Sequence, residues 1–331
     1  MVVYIYIYIY ILSLQSIFIN DIMPEGPEVL MLVDTIREAL IGRLIISASI
    51  VNGKYLTKQN ISNWDQLTVN LPLEIKAIAC KGKFIYIQLQ DEIAIGIGLG
   101  MTGTFNFKLD DKQNHIRLRL DNGQVLCYDD YRRFGNWQIF TTGAQLRTKL
   151  SSLGLDVIGE SIQSGYDRDR ARDAEVGDRS FLTLAAKIFQ RYPRKNICEC
   201  LMDQKIFSGI GNYIKCEALY AANIHPYAKV CNLSREELEV LYQSCLEVIG
   251  RSIRIQRANQ YNYRDFRKAK TDVEAEDQVF KIYDQSKSPD KFKVRKITTS
   301  DQRNTSFVAF NQTLGLNIKI IVDVVVNDGN I

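Results

Sequence analysis

The chain has 331 residues, enough for two domains and a sizeable core. Its hydrophobic content of 46% is that of a globular protein, and a formal charge of +4 does not by itself indicate nucleic-acid binding. The 7 cysteines are odd in number, and several lie in apolar runs, which indicates reduced thiols in an intracellular protein. No cysteine follows Cys245 and no pair has C-x2-C spacing, which excludes a four-cysteine zinc ribbon from the C-terminal third.

Residues 1–22 are apolar and of low complexity, with alternating Ile and Tyr. They lack a basic n-region and a small-residue cleavage site, and they are short for a membrane span. An AT dinucleotide repeat would be translated as alternating Ile and Tyr. We therefore interpret this leader as non-native or removed sequence that precedes the true start, with an anchor or a signal as the alternatives.

The first predicted domain covers residues 23–144. An amphipathic helix is expected over 27–40, with Pro27 at its first position and Gly42 at its end. From 44 to 140 the apolar residues alternate or form short runs between turn residues, which predicts about eight strands in a two-sheet sandwich.

The polar and charged segment 145–179 is expected to be an interdomain linker. Residues 180–262 have a helical pattern, with a capping box at 234–237. Residues 263–331 return to short strands in which lysines and arginines alternate with aromatic residues, which predicts a basic β-hairpin and a tail. Its expected strands are 279–285, 291–299 and 305–312. The predicted fold class is therefore α+β.

Several short motifs occur in an order and spacing that chance does not readily explain. They are Pro24-Glu25-Gly26-Pro27-Glu28, Lys81-Gly82-Lys83, residues 98–103 (GLGMTG), residues 130–135 (DYRRFG), residues 201–204 (LMDQ), residues 209–213 (GIGNY) and residues 299–305 (TSDQRNT). With them, the chain from Met23 to about Gln312 resembles the formamidopyrimidine-DNA glycosylase/endonuclease VIII family of base-excision repair enzymes.

The resemblance assigns the chemistry to the first motif. A free N-terminal Pro24 would be the nucleophile, because an α-amino group titrates near neutral pH and is partly unprotonated there. Glu25 would protonate the deoxyribose ring oxygen and shuttle protons. Glu28 would favour the positive end of the helix and help to position the amine. Lys83 would contact the phosphate beside the lesion and assist catalysis. A plain helix entry at Pro24 and a solvated strand-end lysine are the structural alternatives.

The resemblance also assigns DNA contacts. Met101, Arg132 and Phe134 match residues that fill the space left by an extruded base, with core packing as the alternative for the Met and the Phe. Arg133 matches a phosphate contact. The glycines around Asn212 are expected to bring backbone N–H groups to a phosphate at a helix N-terminus, with the Asn212 amide as a further donor.

Arg303 matches an arginine that a C-terminal finger places on phosphates flanking the lesion. Most family members build this finger around zinc, whereas this sequence has no zinc ligands there and resembles the zincless variant, held by apolar packing. We expect no metal and no cofactor. Gln302 replaces the usual glycine before this arginine, which leaves the geometry of the hairpin turn open.

The resemblance implies a bifunctional DNA glycosylase/AP lyase for oxidised bases, cleaving the strand by β,δ-elimination. Gly26 resembles the endonuclease VIII branch and favours oxidised pyrimidines. The expected partner is damaged or abasic DNA, bound by a monomer inside the cell without stable membrane association. The main alternative is a catalytically inactive damaged-DNA-binding protein, in which Pro24 is not a free N-terminus. A membrane-anchored protein is the third possibility.

Overall fold

The computed structural model describes residues 24–52, 54–57, 61–163, 180–258 and 280–314. The leader 1–22 and most of the tail after the hairpin lie outside these ranges. In the part of the chain that is described, none of the helices is both long and apolar enough to cross a membrane.

An antiparallel sheet of eight strands forms the first domain, in the order β5-β7-β6-β1-β2-β3-β4-β8. Its strands are β1 Leu44–Ile50, β2 Leu73–Lys81, β3 Phe84–Leu89, β4 Ala94–Gly98, β5 Gly103–Asn106, β6 Asn114–Leu120, β7 Val125–Asp130 and β8 Asn136–Phe140. The central strands β1 and β2 pair only briefly, through Leu44 opposite Glu74 and Ile45 opposite Leu73. The two halves of the sheet therefore diverge from this junction, and their buried residues share one core.

Helix α1, Gly26–Leu40, belongs to both halves of the molecule. Its buried Val29, Val33 and Ile36 lie in the core of the sheet domain. Leu30 and Met31 lie instead in the core of the helical domain. A helix with apolar residues on both sides can bury both faces, so the motif that precedes α1 is placed at the junction of the two domains.

Further helices complete the described chain. They are α2 Lys54–Thr57, α3 Trp64–Val69, α4 Gly143–Ser151, α5 Val157–Gln163, α6 Ser180–Gln190, α7 Ile197–Met202, α8 Asn212–Ala221 and α9 Arg235–Ala258. The predicted capping box of α9 is present: the Glu237 N–H donates to Ser234 Oγ at 3.1 Å, and the Ser234 N–H donates to the Glu237 carboxylate at 2.7 Å.

The structure differs from the expected linker over 145–179 in the first part of that segment. Residues up to 163 form α4, α5 and the short strand β9, Leu155–Asp156, which pairs in parallel with β10, Phe207–Ser208. Val157 and Ile158 are fully buried in the helical core. These apolar residues are few and stand among polar ones, so composition alone does not reveal them. The rest of the expected linker, 164–179, lies outside the described residues.

Helix α8 is the centre of the second domain, because its residues from 213 to 219 are buried on every side of the helix. It contacts α9, α7 and the hairpin strand β12. Even Lys215 and Glu217 are almost completely buried there. Buried charges are tolerated only with partners, and those partners come from the hairpin.

The C-terminal hairpin consists of β11, Arg295–Thr298, and β12, Asn304–Phe307. The predicted strand over 279–285 is wrong in its described part, because residues 280–285 are not extended. The N–H groups of Lys281, Ile282 and Tyr283 all donate to the Glu217 carboxylate, at 2.9, 2.9 and 2.7 Å. Successive N–H groups of a strand point in opposite directions, so these three could not converge on one carboxylate in a β-strand.

Candidate active site

Three glycines form the seam between the two domains. The Gly26 N–H donates to the Gly209 carbonyl at 2.9 Å. A Cβ on Gly82 would lie 2.5 Å from the Gly209 nitrogen, and a Cβ on Gly26 would overlap the Ile158 side chain. Backbone therefore meets backbone here, and the helix-joining turn at Gly209 contacts both the strand turn at Gly82 and the start of α1.

Glu25 lies at this seam and is 3% exposed. Its two carboxylate oxygens accept the N–H groups of Tyr213 and Ile214, at 2.8 and 3.2 Å, in the first turn of α8. Gly211 caps that helix, and a Cβ there would overlap the Glu25 carboxylate. From the sequence, backbone N–H groups at this helix N-terminus were expected to face a phosphate. They bind Glu25 instead, because the seam brings this side chain against the positive end of the helix.

The environment of Glu25 favours its neutral form. Its pKa is raised from 4.5 to about 7, mainly by burial. The charge of Lys83 opposes this rise, and the charge of Glu28 contributes to it. A carboxyl group that exchanges its proton near neutral pH can act as a general acid and then as a base.

Glu28 is also buried, and donors from three elements surround it. Its oxygens accept the Glu25 N–H at 2.9 Å, the Tyr213 hydroxyl at 3.1 Å and the Gln256 amide at 2.7 Å. The Tyr213 oxygen also lies 3.1 Å from Ser252 Oγ, whose hydroxyl can donate to it. Burial raises the pKa of Glu28, while these hydrogen bonds lower it. We call Glu25, Glu28, Tyr213, Ser252 and Gln256 the carboxylate cluster.

The two lysines of the Lys-Gly-Lys motif have different surroundings. Lys81 donates to the carbonyls of Leu150 and Leu153, at 2.9 and 3.1 Å, and so closes the end of α4. Lys83 is partly buried beside the carboxylate cluster. Desolvation lowers the pKa of Lys83, the charges of Glu25 and Glu28 raise it, and the charge of Arg303 lowers it. Lys83 is therefore the lysine of this motif that can act at the site.

A second group of residues lies on two adjacent loops, 99–103 and 131–135, which we call the loop pair. The buried Asp130 holds them together, since it accepts hydrogen bonds from the Thr102 hydroxyl and from the Gly135 N–H. Thr102 in turn accepts the Arg132 N–H at 2.8 Å. A Cβ on Gly100 would lie only 2.6 Å from the Gly135 nitrogen, so the two loops are in direct contact.

The loop pair exposes the residues that the sequence singled out. Phe134 is 58% exposed, which argues against the core-packing alternative for this side chain. The Arg132 guanidinium lies over the Phe134 ring, 5.3 Å from its centroid. Met101 is half-buried and Arg133 is exposed, with its backbone in the left-handed region at φ 59°. An exposed aromatic ring under an arginine is suited to stacking on a nucleobase.

Asn212 and Arg303 connect the site with the hairpin. The Asn212 amide donates to the Asn304 carbonyl at 3.0 Å, so this side chain contacts the hairpin as well as standing at the start of α8. Arg303 is exposed in the turn between β11 and β12. Gln302, where a glycine was expected, has a φ of 63°. The turn thus keeps the left-handed geometry that glycine adopts most easily.

Reasoning from sequence did not identify several positioning residues. Tyr213 follows directly after Asn212 and Asp130 begins the DYRRFG motif, so their positions beside site residues were the only signal. Asp301 was marked only by its place in the TSDQRNT motif. Gln256 on α9 and Lys215 on α8 gave no signal, because their partners are distant in sequence. Among the described residues, no group of three or more His, Cys, Asp or Glu side chains is placed to hold a metal ion.

Comparison with protein families gives two matches. Residues 23–137 match the formamidopyrimidine-DNA glycosylase N-terminal domain. Residues 173–262 match the formamidopyrimidine-DNA glycosylase H2TH domain. Together the two matches cover more than half of the chain, and both include residues of the carboxylate cluster.

Similar proteins carry the same family description. The formamidopyrimidine-DNA glycosylase of Cronobacter sakazakii is 28% identical over 235 residues, which are 70% of this chain and 78% of that protein. That of Shewanella loihica is 33% identical over 144 residues, 44% of this chain and 46% of that protein.

Two solved structures of the Lactococcus lactis enzyme share the fold. One is bound non-covalently to DNA containing an AP site, with a TM-score of 0.66 and 21% identity. The other is in complex with DNA containing an oxidised pyrimidine, with a TM-score of 0.65 and 20% identity. Each covers 88% of this chain and 100% of the matched chain.

Proposed function

Because the chain belongs to the formamidopyrimidine-DNA glycosylase family, we propose that it is a DNA glycosylase and AP lyase that removes oxidised bases from DNA. The observation that carries this proposal is Glu25. Its carboxyl group follows Pro24 directly, is buried, has a pKa of about 7 and lies beside Lys83. A proton donor and acceptor is therefore held next to the proposed nucleophile.

In the proposed reaction the neutral Pro24 nitrogen attacks C1′ of the damaged nucleotide, and the bond from C1′ to the base breaks with its electron pair on the base. The base takes up one proton as it departs, and the Pro24 nitrogen loses one. Glu25 gives its proton to the ring oxygen, which opens the sugar and leaves a Schiff base between Pro24 and C1′. Loss of a C2′ proton then expels the 3′ phosphate, and a second elimination expels the 5′ phosphate. Lys83 stabilises charge at the phosphate beside the lesion. Glu28 holds the Glu25 backbone, and with it the adjacent Pro24.

The proposed DNA contacts divide by chemistry. Met101, Arg132 and Phe134 fill the space left by the extruded base. The exposure of Phe134 and the position of the Arg132 guanidinium over its ring support this role. Arg133 and Arg303 contact phosphates. Asn212 supports the hairpin through Asn304, and its amide keeps a second hydrogen for a phosphate.

Borohydride trapping on abasic-site DNA tests the enzyme. Protein beginning at Pro24 should form a covalent adduct, and mass spectrometry of the digested adduct should locate it on the Pro24 nitrogen. Protein with all 331 residues should form none, because its Pro24 nitrogen is an amide and cannot attack. An adduct that maps to a lysine would refute the assignment of Pro24.

A damaged-DNA-binding protein without catalysis is the second candidate, since Pro24 is preceded by 23 residues in the sequence. Binding of the Pro24-start protein to abasic DNA without any adduct would establish it. A chain that keeps residues 1–22 would bind damaged DNA without cleaving it, because DNA binding by Lys83, Asn212 and Arg303 does not require a free N-terminus.

The preference for oxidised pyrimidines remains a proposal that rests on Gly26. The packing of Gly26 against Ile158 and Gly209 provides a separate reason for glycine, since any side chain would disrupt the seam. Cleavage rates on duplexes with thymine glycol and with 8-oxoguanine would decide the matter. Faster cleavage of 8-oxoguanine would show that glycine is required at position 26 for packing and does not indicate the substrate.

A further inference from the structure

The hairpin turn is attached to α8 by a buried ion pair. Lys215 Nζ lies 2.6 Å from Asp301 Oδ2, and the two side chains are 0% and 5% exposed. Lys215 follows directly after Tyr213 and Ile214, whose N–H groups bind Glu25. Breaking such a pair by removing one member leaves a charge buried without its partner, which is strongly unfavourable.

The same turn is closed by a compact set of hydrogen bonds around Thr299. Its N–H donates to the Arg303 carbonyl at 3.0 Å, and its hydroxyl contacts Asp301 and, at 2.7 Å, the Thr305 hydroxyl. The Gln302 N–H donates back to the Thr299 carbonyl at 2.9 Å. Asp301 therefore connects the ion pair to the backbone that carries Arg303.

The base of the hairpin is held by different contacts. Glu217 binds the N–H groups of residues 281–283, and Cys216 packs with Ile282, Val294 and Val308. These contacts lie away from the turn. Nearer to Arg303, the Asn212 amide donates to the Asn304 carbonyl at 3.0 Å, so the ion pair is the second attachment of the turn to α8. The base and the turn of the hairpin are thus attached to α8 separately.

We propose that the Lys215–Asp301 ion pair is a positioning device that fixes Arg303 for a phosphate of the damaged strand. Arg303 is near enough to Lys83 for its charge to act on that lysine. One helix, α8, would then hold the proposed proton donor Glu25 at its N-terminus and the phosphate-binding arginine through Lys215. This inference rests on the proposed function only in naming the phosphate ligand.

Binding to a duplex with a tetrahydrofuran abasic-site analogue, measured across a salt series, tests the device. Loss of one phosphate contact lowers the slope of log K against log salt by about 0.9. We expect Arg303→Ala to lower it by that amount and to weaken binding about tenfold or more. Asp301→Asn should do the same, and the double variant should lose no more than either single variant.

Asp284→Asn is the matched control. It removes the acid of the exposed hairpin pair Lys296–Asp284, at 2.9 Å with side chains 52% and 58% exposed. We expect it to leave the slope unchanged. Should Asp301→Asn fail to fold, the apolar replacement Lys215→Met with Asp301→Leu removes both charges and is expected to fold.

Hydrogen exchange of the DNA-free protein gives a readout that does not require catalysis or binding. In Asp301→Asn the N–H groups of Thr299 and Gln302 should lose protection, while those of Ile282 and Tyr283, which bind Glu217, should keep it. A folded variant with unchanged protection in the turn, or with an unchanged salt slope and a full additional loss from Arg303→Ala, would overturn the inference. A wild type that does not trap or bind would refute the proposed function alone, since the exchange result stands without DNA.

Discussion

The carboxylate cluster and the loop pair differ in how far their functional side chains are exposed to water. In the cluster, Glu25 and Glu28 are 3% and 2% exposed, and their oxygens face donors from α8 and α9. In the loop pair, Phe134 is 58% exposed. The loop that carries it is held by the buried Asp130, whose carboxylate accepts the Gly135 N–H. One region removes carboxylates from water, and the other keeps an aromatic ring in water.

This difference in exposure matches two different tasks, proton transfer in the carboxylate cluster and insertion into the base stack by the loop pair. Desolvation is the main reason that the Glu25 carboxyl group retains a proton near neutral pH, so the cluster must be buried before DNA arrives. A side chain that enters a base stack must leave water when DNA arrives. Substitutions in the cluster should therefore change rates and pH dependence, whereas those in the loop pair should change affinity.

The largest effect is expected from Glu25→Gln. The amide can still be held at the start of α8 but cannot transfer a proton, so single-turnover cleavage should fall by about 10²- to 10⁴-fold. Binding to tetrahydrofuran DNA should stay within about threefold, by comparison with the tenfold effects expected of direct contacts. A cleavage rate close to that of the wild type would show that Glu25 is not the proton donor.

The pH dependence sharpens the same prediction. The pKa of Glu25 is raised from 4.5 to about 7, so the folded protein holds a proton that the unfolded chain releases. This contribution to stability is fully present below pH 4.5 and is lost as the pH rises through about 7. Urea unfolding between these values should show a smaller loss of stability for Glu25→Gln than for the wild type. Equal losses would contradict the raised pKa.

Phe134→Ala should produce the next largest effect. Stacking of a base on an aromatic ring is worth about 1–3 kcal/mol, so affinity for abasic DNA should fall about tenfold. The melting temperature should hardly change, because the ring is 58% exposed. Leu109→Ala, at the same 58% exposure beyond the other end of β5, is the control. Equal losses of affinity in both variants would mean that Phe134 does not enter the DNA.

A smaller effect is expected from Tyr213→Phe. The change keeps the backbone N–H that binds Glu25 and removes the hydroxyl that binds Glu28. Loss of that hydrogen bond should cost about 1 kcal/mol of unfolding free energy and raise the pKa of Glu28. Tyr242→Phe removes an equally buried hydroxyl that has no hydrogen-bond partner within the described structure, so urea unfolding should show no comparable loss. Identical urea unfolding curves for the two variants would show that the Tyr213 hydroxyl does not stabilise the carboxylate cluster.

A chelator should have no effect. The chain has no cysteine after Cys245 and no histidine after His225, so the hairpin has none of the ligands that hold zinc in structural sites. Cleavage measured before and after EDTA treatment and dialysis should be equal. Activity that is lost with EDTA and restored by zinc would reveal a metal site built from other residues.

The sequence predicted the periodic parts of this molecule well. Alternation of apolar residues gave the strands of the sheet domain, and Ser234 with Glu237 gave the start of α9, because both signals are local. The order of the motifs led to the family. The number and positions of the strands in the first domain could be anticipated in this way. Its short helices and the joining of the expected two sheets into one eight-stranded sheet could not.

Contacts across long sequence separations could not be anticipated. Glu25 meets Tyr213, Glu28 meets Gln256 and Lys215 meets Asp301, at separations of 188, 228 and 86 residues. No local pattern marks such pairs, since each residue taken alone resembles an ordinary surface side chain. The same limit explains why the helix N-terminus at α8 was assigned to a phosphate when an internal carboxylate already binds there.

The close backbone contacts at the domain seam limit which amino acids the chain tolerates at its glycine positions. Every substitution at Gly82 or Gly211 adds at least a Cβ, which would meet the Gly209 backbone in one case and the Glu25 carboxyl group in the other. The Gly209 backbone cannot move aside, and the Glu25 carboxyl group could do so only by giving up the N–H groups of Tyr213 and Ile214. In a library of random missense variants, active clones should therefore carry no substitutions at these two positions. Neither glycine has a side chain that could take part in the reaction.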